Sequence, residues 1–410
     1  MILEEIDYTG YAELLIDLGV NLQPGQNLII RYHVGGSLLA RRCAELAYQR
    51  GATLVVMDPL DTHLTRARIA AQVNKERALA AIPGWVEAWQ RTVLTEKWAY
   101  LKLESYEDLG LLKDTHQNAL MIYEKYLRAN ISHFWNAIIA HDIQWCVAGV
   151  PGPHWAERVL GKGRNTAELW NILQPILLLD QKTPIEAWKA KARCLQKYAN
   201  RLNALKLDAL HFEGGGTDLW VGLLPTSIWK GAVEQCRGIT TLPNIPTEEV
   251  FTTPNRLRCD GVVRVTRPVE LRGTVVKDAV LTFKGGMLVN YSAEEGIDAL
   301  KGFVDTDQGA TKLGEVALVS EDSPIARSGL IFDAVLYDEN ASCHIALGAG
   351  YSRSLSTPKS LDTDEEKIAA GCNVSLVHQD FMIGSESIKV SGIDRSGRKT
   401  TIIRNGRFAI

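Results

Sequence analysis

Seven carboxylate and imidazole side chains in the second half of the chain are of the kinds that bind divalent metal ions. They are Glu248, Glu249, Glu315, Glu339, His344, His378 and Asp380. Carboxylates are hard oxygen ligands and imidazoles are borderline nitrogen ligands, and this mixture suits a pair of catalytic divalent ions. No single segment decides the matter alone, but together the residues suggest a hydrolytic metal site.

The spacing within two segments predicts how these side chains are presented. One residue separates His378 from Asp380, and alternate residues share a face of a strand, so a strand here would point both side chains the same way. Between Glu339 and His344 the chain has to turn if both are to face one site. Asn340 is a residue type that suits such a turn.

Composition limits the class of protein. The chain has 410 residues, of which 46% are hydrophobic and 23% charged, as in an ordinary soluble protein of two or three domains. A net charge of -3 argues against a dedicated nucleic-acid binder, and no apolar run approaches the ~20 residues of a bilayer-spanning helix. The N-terminus does not read as a secretory signal, and the seven cysteines are scattered with no CxxC. We therefore expect a cytoplasmic protein with free thiols.

Alternating helix and strand patterns predict an α/β domain with a parallel sheet over residues 1–205. Residues 27–32 and 54–57 have the character of short apolar strands, and residues 37–50 between them have the periodicity of an amphipathic helix. Such a βαβ unit requires parallel strands. No phosphate-binding glycine pattern follows either strand, so a nucleotide site is not indicated.

The pattern becomes β-rich in the second half of the chain. Residues 183–186, Thr-Pro-Ile-Glu, are a strong start for a helix that runs to about residue 205. Apolar stretches on both sides of the glycines at 214–216 and of Lys284-Gly285-Gly286 predict hairpins. We therefore predict an α+β, β-rich metal-binding domain over residues 206–410.

Five segments in chain order resemble the aminopeptidase T family of metallopeptidases. They are GTDLWVGL (216–223), NIPTEEVFTTP (244–254), GATKLGEVALV (309–319), LYDENASCHIALGAGY (336–351) and HQDFMIGS (378–385). The resemblance covers nearly the whole length, with the weakest match over residues 60–180. It implies removal of the N-terminal residue from peptides by a two-metal centre, in a homodimer.

The resemblance also implies a role for each candidate residue. The implied ligands of two divalent ions (Zn, Co or Mn) are Glu249, Glu315, Glu339, His344, His378 and Asp380. Glu315 would bridge the ions, which would share a hydroxide that attacks the peptide bond, and one ion would hold the free amine. Tyr351 matches a tyrosine near the metals and could polarise the substrate carbonyl. Glu248 is a candidate general base or a group that supports the ligands.

Two alternatives need weighing against this expectation. A ring-cleaving dioxygenase with a single Fe(II) needs two histidines and one carboxylate, which His344, His378 and Asp380 could supply. The other carboxylates would then be surplus, which favours two metals and hydrolysis. A non-catalytic protein on the same fold would require a broken ligand set, and the sequence shows none. We expect a metal-dependent aminopeptidase that acts on peptides and has no nucleic-acid or membrane partner.

Overall fold

The computed structural model describes residues 6–271, 273–357 and 361–410, except for the side chains of residues 128 and 139. The strands are β1 Leu28–His33, β2 Val55–Leu60, β3 Ala99–Ser105, β4 Trp145–Val150, β5 Leu207–Gly214, β6 Thr217–Leu223, β7 Glu234–Cys236, β8 Ile239–Thr241, β9 Asn244–Ile245, β10 Glu249–Thr252, β11 Pro254–Arg264, β12 Val269–Leu271, β13 Thr274–Val276, β14 Val280–Lys284, β15 Met287–Ser292, β16 Leu313–Val319, β17 His344–Gly348, β18 His378–Met382, β19 Lys389–Asp394, β20 Lys399–Arg404 and β21 Arg407–Phe408.

The α-helices are α1 Thr9–Glu13, α2 Ser37–Gln49, α3 Thr62–Ala71, α4 Glu76–Leu79, α5 Gly84–Thr95, α6 Gln117–Ile139, α7 Pro153–Leu160, α8 Thr166–Ile176, α9 Pro184–Leu205, α10 Ile297–Val304, α11 Pro324–Arg327, α12 Val335–Asp338 and α13 Asp364–Ala369. The 3-10 turns are Val34–Gly36, Gln308–Thr311, Glu339–Ala341 and Ser352–Ser354, and Leu14–Gly19 is a π-helix. Among the described residues, no helix is both long enough and apolar enough to cross a bilayer.

The chain forms two compact units. One runs to Ala187 and also includes Val233–Ile245, and the other comprises Trp188–Ala232 and Pro246–Ile410. Helix α9 therefore begins in the first unit and continues in the second. The domain boundary between residues 205 and 206 stays a prediction.

The first unit is built on a parallel sheet. Its five strands have the order β2-β1-β3-β4-β9, and every neighbouring pair is parallel. Helix α2 connects β1 to β2 and buries its apolar stripe, including Leu39, Cys43 and Leu46. The predicted βαβ unit is thus present, and the α/β class of this part of the chain is confirmed.

The second unit contains two antiparallel sheets. One has eight strands in the order β15-β14-β11-β6-β5-β19-β20-β21, and the other has four in the order β10-β16-β17-β18. Both predicted hairpins, β5–β6 and β14–β15, belong to the larger sheet. Gly215 and Gly216 turn the first of them with φ of 62° and 88°, a left-handed conformation that costs glycine little. The β-rich class of the second half is therefore confirmed.

Candidate metal centre

The register of the four-stranded sheet brings predicted site residues onto one face. Glu315 on β16 is opposite Ala346 on β17, and Ala346 is opposite Asp380 on β18. His344 and His378 lie two residues before Ala346 and Asp380 on their own strands. Since alternate residues of a strand share a face, the two carboxylates and the two imidazoles project from the same side of the sheet.

Glu249 joins this face from the edge strand. It is the first residue of β10 and pairs with Val319, which lies four residues beyond Glu315 on β16. The even spacing places Glu249 on the same side as Glu315. Both glutamates are buried, with exposures of 7% and 4%.

The side-chain atoms of these residues come close together. Two groups have potential ligand atoms within 4.8 Å of one another: Glu249, Glu315 and His344, and Glu315, His378 and Asp380. His344 Nε2 lies 3.2 Å from Glu249 Oε2 and 4.0 Å from Asp380 Oδ1. His378 Nε2 lies 3.4 Å from Glu315 Oε2 and 3.6 Å from Asp380 Oδ1. Glu315 is the residue that the two groups share.

Backbone carbonyls orient both imidazoles. His344 Nδ1 lies 3.2 Å from Ser342 O, and His378 Nδ1 lies 2.7 Å from Ala349 O. A carbonyl oxygen only accepts hydrogen bonds, so each Nδ1 carries a hydrogen. In the neutral imidazole, Nε2 then carries the free lone pair, and this nitrogen faces the carboxylates. Metal-binding histidines are commonly held in this way.

The electrostatics of the cluster are those of a site that needs positive charge. Burial and the charge of Glu249 raise the pKa of Glu315 to about 7. Burial opposes protonation of His344, but the carboxylates of Glu249, Asp380 and Glu315 raise its pKa to about 10 overall. Burial and the charges of Asp380 and Glu249 hold the pKa of Glu339 well above its usual range.

Glu339 reaches the neighbourhood from a turn, as the sequence predicted. The 3-10 turn Glu339–Ala341 leads from α12 to β17. Glu339 belongs to neither of the two close groups, although its charge interacts with members of both. The adjacent Asp338 has a different task, because its carboxylate accepts hydrogen bonds from the amides of Phe332 (2.9 Å) and Ala334 (3.1 Å).

Tyr351 lies beside the cluster. Its hydroxyl is 3.4 Å from His378 Nε2, and the hydroxyl of Thr253 bonds both its amide and its carbonyl. The ring of Phe251, on the same side of β10 as Glu249, packs edge-on against it at 5.8 Å. Burial and the nearby carboxylates raise the pKa of Tyr351 well above its usual value, so it remains a hydrogen-bond donor.

The carboxylate of Glu248 has its ion-pair partner outside the cluster. Its carboxylate forms a close ion pair with Lys191 on helix α9. Burial raises its pKa, and the charges that act on it most are those of Lys191, Arg327 and Asp322, none of which belongs to the cluster. Its backbone amide donates a 2.7 Å hydrogen bond to Asn340 Oδ1. The sequence offered no signal for Lys191, and it marked Asn340 only as a turn residue.

The donor set suits divalent cations. Four carboxylates carry a charge of about -4 when ionised, and two divalent ions would neutralise them while the imidazoles remain neutral. Oxygen ligands together with imidazoles are donors that divalent metal ions accept in proteins. A cluster of this kind without compensating charge would have to take up protons, which is the direction of the raised pKa values of Glu315, Glu339 and His344.

Comparison with known proteins identifies the family. A family model described as thermophilic metalloprotease (M29) matches residues 5–408. The chain belongs to the M29 family. It is 37% identical over 406 residues to aminopeptidase T from Thermus aquaticus, with 97% of each chain covered. It is 36% identical over 409 residues to aminopeptidase 2 from Geobacillus stearothermophilus, covering 99% of this chain and 98% of that relative.

A solved structure of a protein from Thermus thermophilus agrees with this assignment. The structure of its wild-type AmpT matches this chain with a TM-score of 0.89 at 36% identity, covering 97% of this chain and 98% of that one. The predicted resemblance is therefore confirmed. So is the enzyme class, a peptide hydrolase of a metalloprotease family that depends on divalent metal.

Proposed function

We propose that this M29 enzyme is an aminopeptidase that removes the N-terminal residue from peptides with two divalent metal ions. The printed names of several full-length relatives, among them aminopeptidase T and aminopeptidase 2, support this activity. The observation that carries the two-metal proposal is the position of Glu315, which belongs to both groups of close ligand atoms.

The proposed ligands divide around Glu315. Glu249 and His344 form one close group with it, and His378 and Asp380 form the other, so Glu315 would be the ligand that two ions share. Glu339 completes the proposed set of six from its turn. Ions bound here would lower the pKa of water from 15.7 to roughly 7 and polarise a carbonyl oxygen.

The proposed centre would supply the substrate contacts. A peptide's free amine would be held by one of the ions bound at this face, and an internal peptide bond has no such group, which would account for attack at the chain end. Tyr351 stays protonated and can donate a hydrogen bond to the oxygen on which negative charge develops.

Of the two roles open to Glu248, the ion pair favours support of the ligands. A general base has to be within reach of the proton that it removes. The carboxylate of Glu248 is instead held by Lys191, while its backbone leads directly into Glu249. We propose that Glu248 positions the start of β10.

We propose Zn, Co or Mn as the native metal, a homodimer as the active form, and the cytoplasm as the compartment. None of the seven cysteines forms a disulfide bond in the described part of the chain, and six of them are buried, which is compatible with a reducing environment.

The experiment is metal analysis combined with hydrolysis of an aminoacyl anilide. We expect two ions per chain, loss of activity with a chelator, and recovery with cobalt or zinc. Glu315→Gln keeps the size of the side chain but removes the charge, and it should abolish metal binding and hydrolysis together. The matched control is Glu295→Gln, an exposed glutamate paired with Lys277, which should leave both unchanged.

The outcome also separates the alternatives. Full activity in Glu315→Gln would contradict the bridging role. A single iron per chain and oxygen consumption, with no anilide hydrolysis, would favour the ring-cleaving dioxygenase.

A further inference from the structure

Asn340 connects two parts of the chain that carry proposed ligands. It lies in the turn Glu339–Ala341, and its side chain is completely buried. Its Oδ1 accepts the amide hydrogen of Glu248 at 2.7 Å, and its Nδ2 donates to Leu336 O at 2.9 Å and to Glu339 Oε1 at 3.3 Å. A backbone amide can only donate and a carbonyl can only accept, so these partners fix the orientation of the amide.

The hydrogen bonds are consequential because of where they end. The amide of Glu248 immediately precedes Glu249 at the start of β10, and Glu248 is 92 residues distant from Asn340 along the chain. The third partner is the carboxylate of Glu339 itself. One planar amide thus ties the strand that begins with Glu249 to the turn that carries Glu339.

We infer that Asn340 is a positioning residue for the metal centre, a role that rests on the proposed two-metal function. It sets the edge strand against the turn, so that Glu249 and Glu339 approach the same face of the sheet. It also donates a hydrogen bond to Glu339, which orients that carboxylate. Groups that orient metal ligands in this way typically change metal affinity 10–100-fold when they are lost.

Of the side chains of similar size, only the amide of asparagine can make all the hydrogen bonds found at position 340. Aspartate has nearly the same size and can still accept from the Glu248 amide, but it has no donor for Leu336 O and would place a negative charge against Glu339. Leucine could fill the space but would leave the Glu248 amide and the Leu336 carbonyl without their partner.

The test compares Asn340→Asp with a control that weakens the same region without changing the side-chain amide. Ser323→Ala removes the hydroxyl that donates to the backbone carbonyl of Asn340 and caps helix α11. Each metal-free protein is titrated with cobalt chloride by calorimetry and by the visible absorption of bound cobalt, and thermal unfolding is measured in parallel. We expect Asn340→Asp to weaken cobalt binding at least tenfold and to change the cobalt spectrum. Ser323→Ala should lose stability but retain wild-type affinity and spectrum.

The results separate this role from the proposed function. A wild-type protein that binds two cobalt ions, with Asn340→Asp binding them equally well, would overturn the positioning role and leave the two-metal function standing. A wild-type protein that binds no pair of ions would overturn the two-metal function, and the role of Asn340 with it. If Asn340→Asp does not fold, Asn340→Ser, which is small and uncharged, is compared with Ser323→Ala instead. Weaker cobalt binding by Asn340→Ser would support the positioning role, and wild-type binding would overturn it.

Discussion

The carboxylate of Glu315 occupies a place where an apolar side chain would otherwise be expected. Glu315 is flanked by Gly314 and Val316 in a strand in which every residue is buried. An isolated ionised carboxylate in such surroundings costs several kcal/mol. The buried carboxylate of Glu315 is stabilised by the histidines beside it. In the proposed function, two cations would also neutralise the charge of the cluster.

Tyr351 provides the first prediction at this scale. Tyr351→Phe removes the hydroxyl beside His378 while keeping the ring that packs on Phe251. Loss of one donor to a developing negative charge typically lowers kcat about 100-fold, so we expect a fall of that order with little change in KM. Steady-state hydrolysis of an aminoacyl anilide measures it, with metal content as the control. A kcat within threefold of wild type would exclude Tyr351 as that donor.

Lys191 provides the second prediction at the scale of single residues. Lys191→Met retains an unbranched side chain of similar length but leaves the buried carboxylate of Glu248 without its partner. Removal of one member of a buried ion pair typically costs about 3–5 kcal/mol, which denaturant unfolding would detect. The double variant Lys191→Met/Glu248→Gln should recover most of this stability and most of the activity. If Glu248 is the general base instead, the double variant will be stable but inactive.

At the scale of the elements, glycine allows the strands that carry the ligands to approach closely. Gly348 ends β17 opposite His378, with φ of 109°. A Cβ at this position would lie 2.0 Å from the carbonyl oxygen of Val377. Only glycine therefore lets β18 begin where it does, and β18 carries both His378 and Asp380.

The corresponding prediction compares two glycine substitutions. Gly348→Ala should cost at least about 2 kcal/mol, because it adds both a clash and a strained backbone, and it should weaken metal binding by displacing β18. Gly302→Ala, on an exposed face of helix α10 with no atom within 4 Å of the new Cβ, should instead stabilise the protein by up to about 1 kcal/mol. Denaturant unfolding and metal titration of both variants test this. Equal metal affinity in the two would contradict the coupling of Gly348 to the site.

At the scale of the molecule, the chemistry is unevenly distributed. Both groups of close ligand atoms found among the described residues lie in the second unit, on its four-stranded sheet. The first unit, with its parallel sheet, contributes none of the six proposed ligands.

The cysteines yield a prediction for the whole chain. Only Cys194 among the seven is exposed, and none of them forms a disulfide bond in the described residues. Ellman's reagent should therefore react rapidly with about one thiol in the folded protein and with seven after denaturation in guanidinium without reductant. A count below seven in the denatured, unreduced protein would reveal a disulfide and would argue against the proposed reducing compartment.

Local patterns in the sequence were sufficient to predict several secondary-structure elements and to select candidate metal-binding residues. The period of two in His378-x-Asp380, the turn at Asn340 and the βαβ pattern near the N-terminus depend on a few neighbouring residues, and the structure contains all three. The resemblance to a family then connected glutamates and histidines that no local pattern could relate.

Only the tertiary structure decided how distant segments meet. The alignment of Glu315, Ala346 and Asp380 across three strands is a matter of register, which is set by the packing of whole sheets. The pairing of Glu248 with Lys191 likewise joins residues 57 positions apart. Side-chain alternation is a property of each strand by itself, whereas the partner of a buried charge is chosen by the folded environment, because that charge is stable only where another group compensates it.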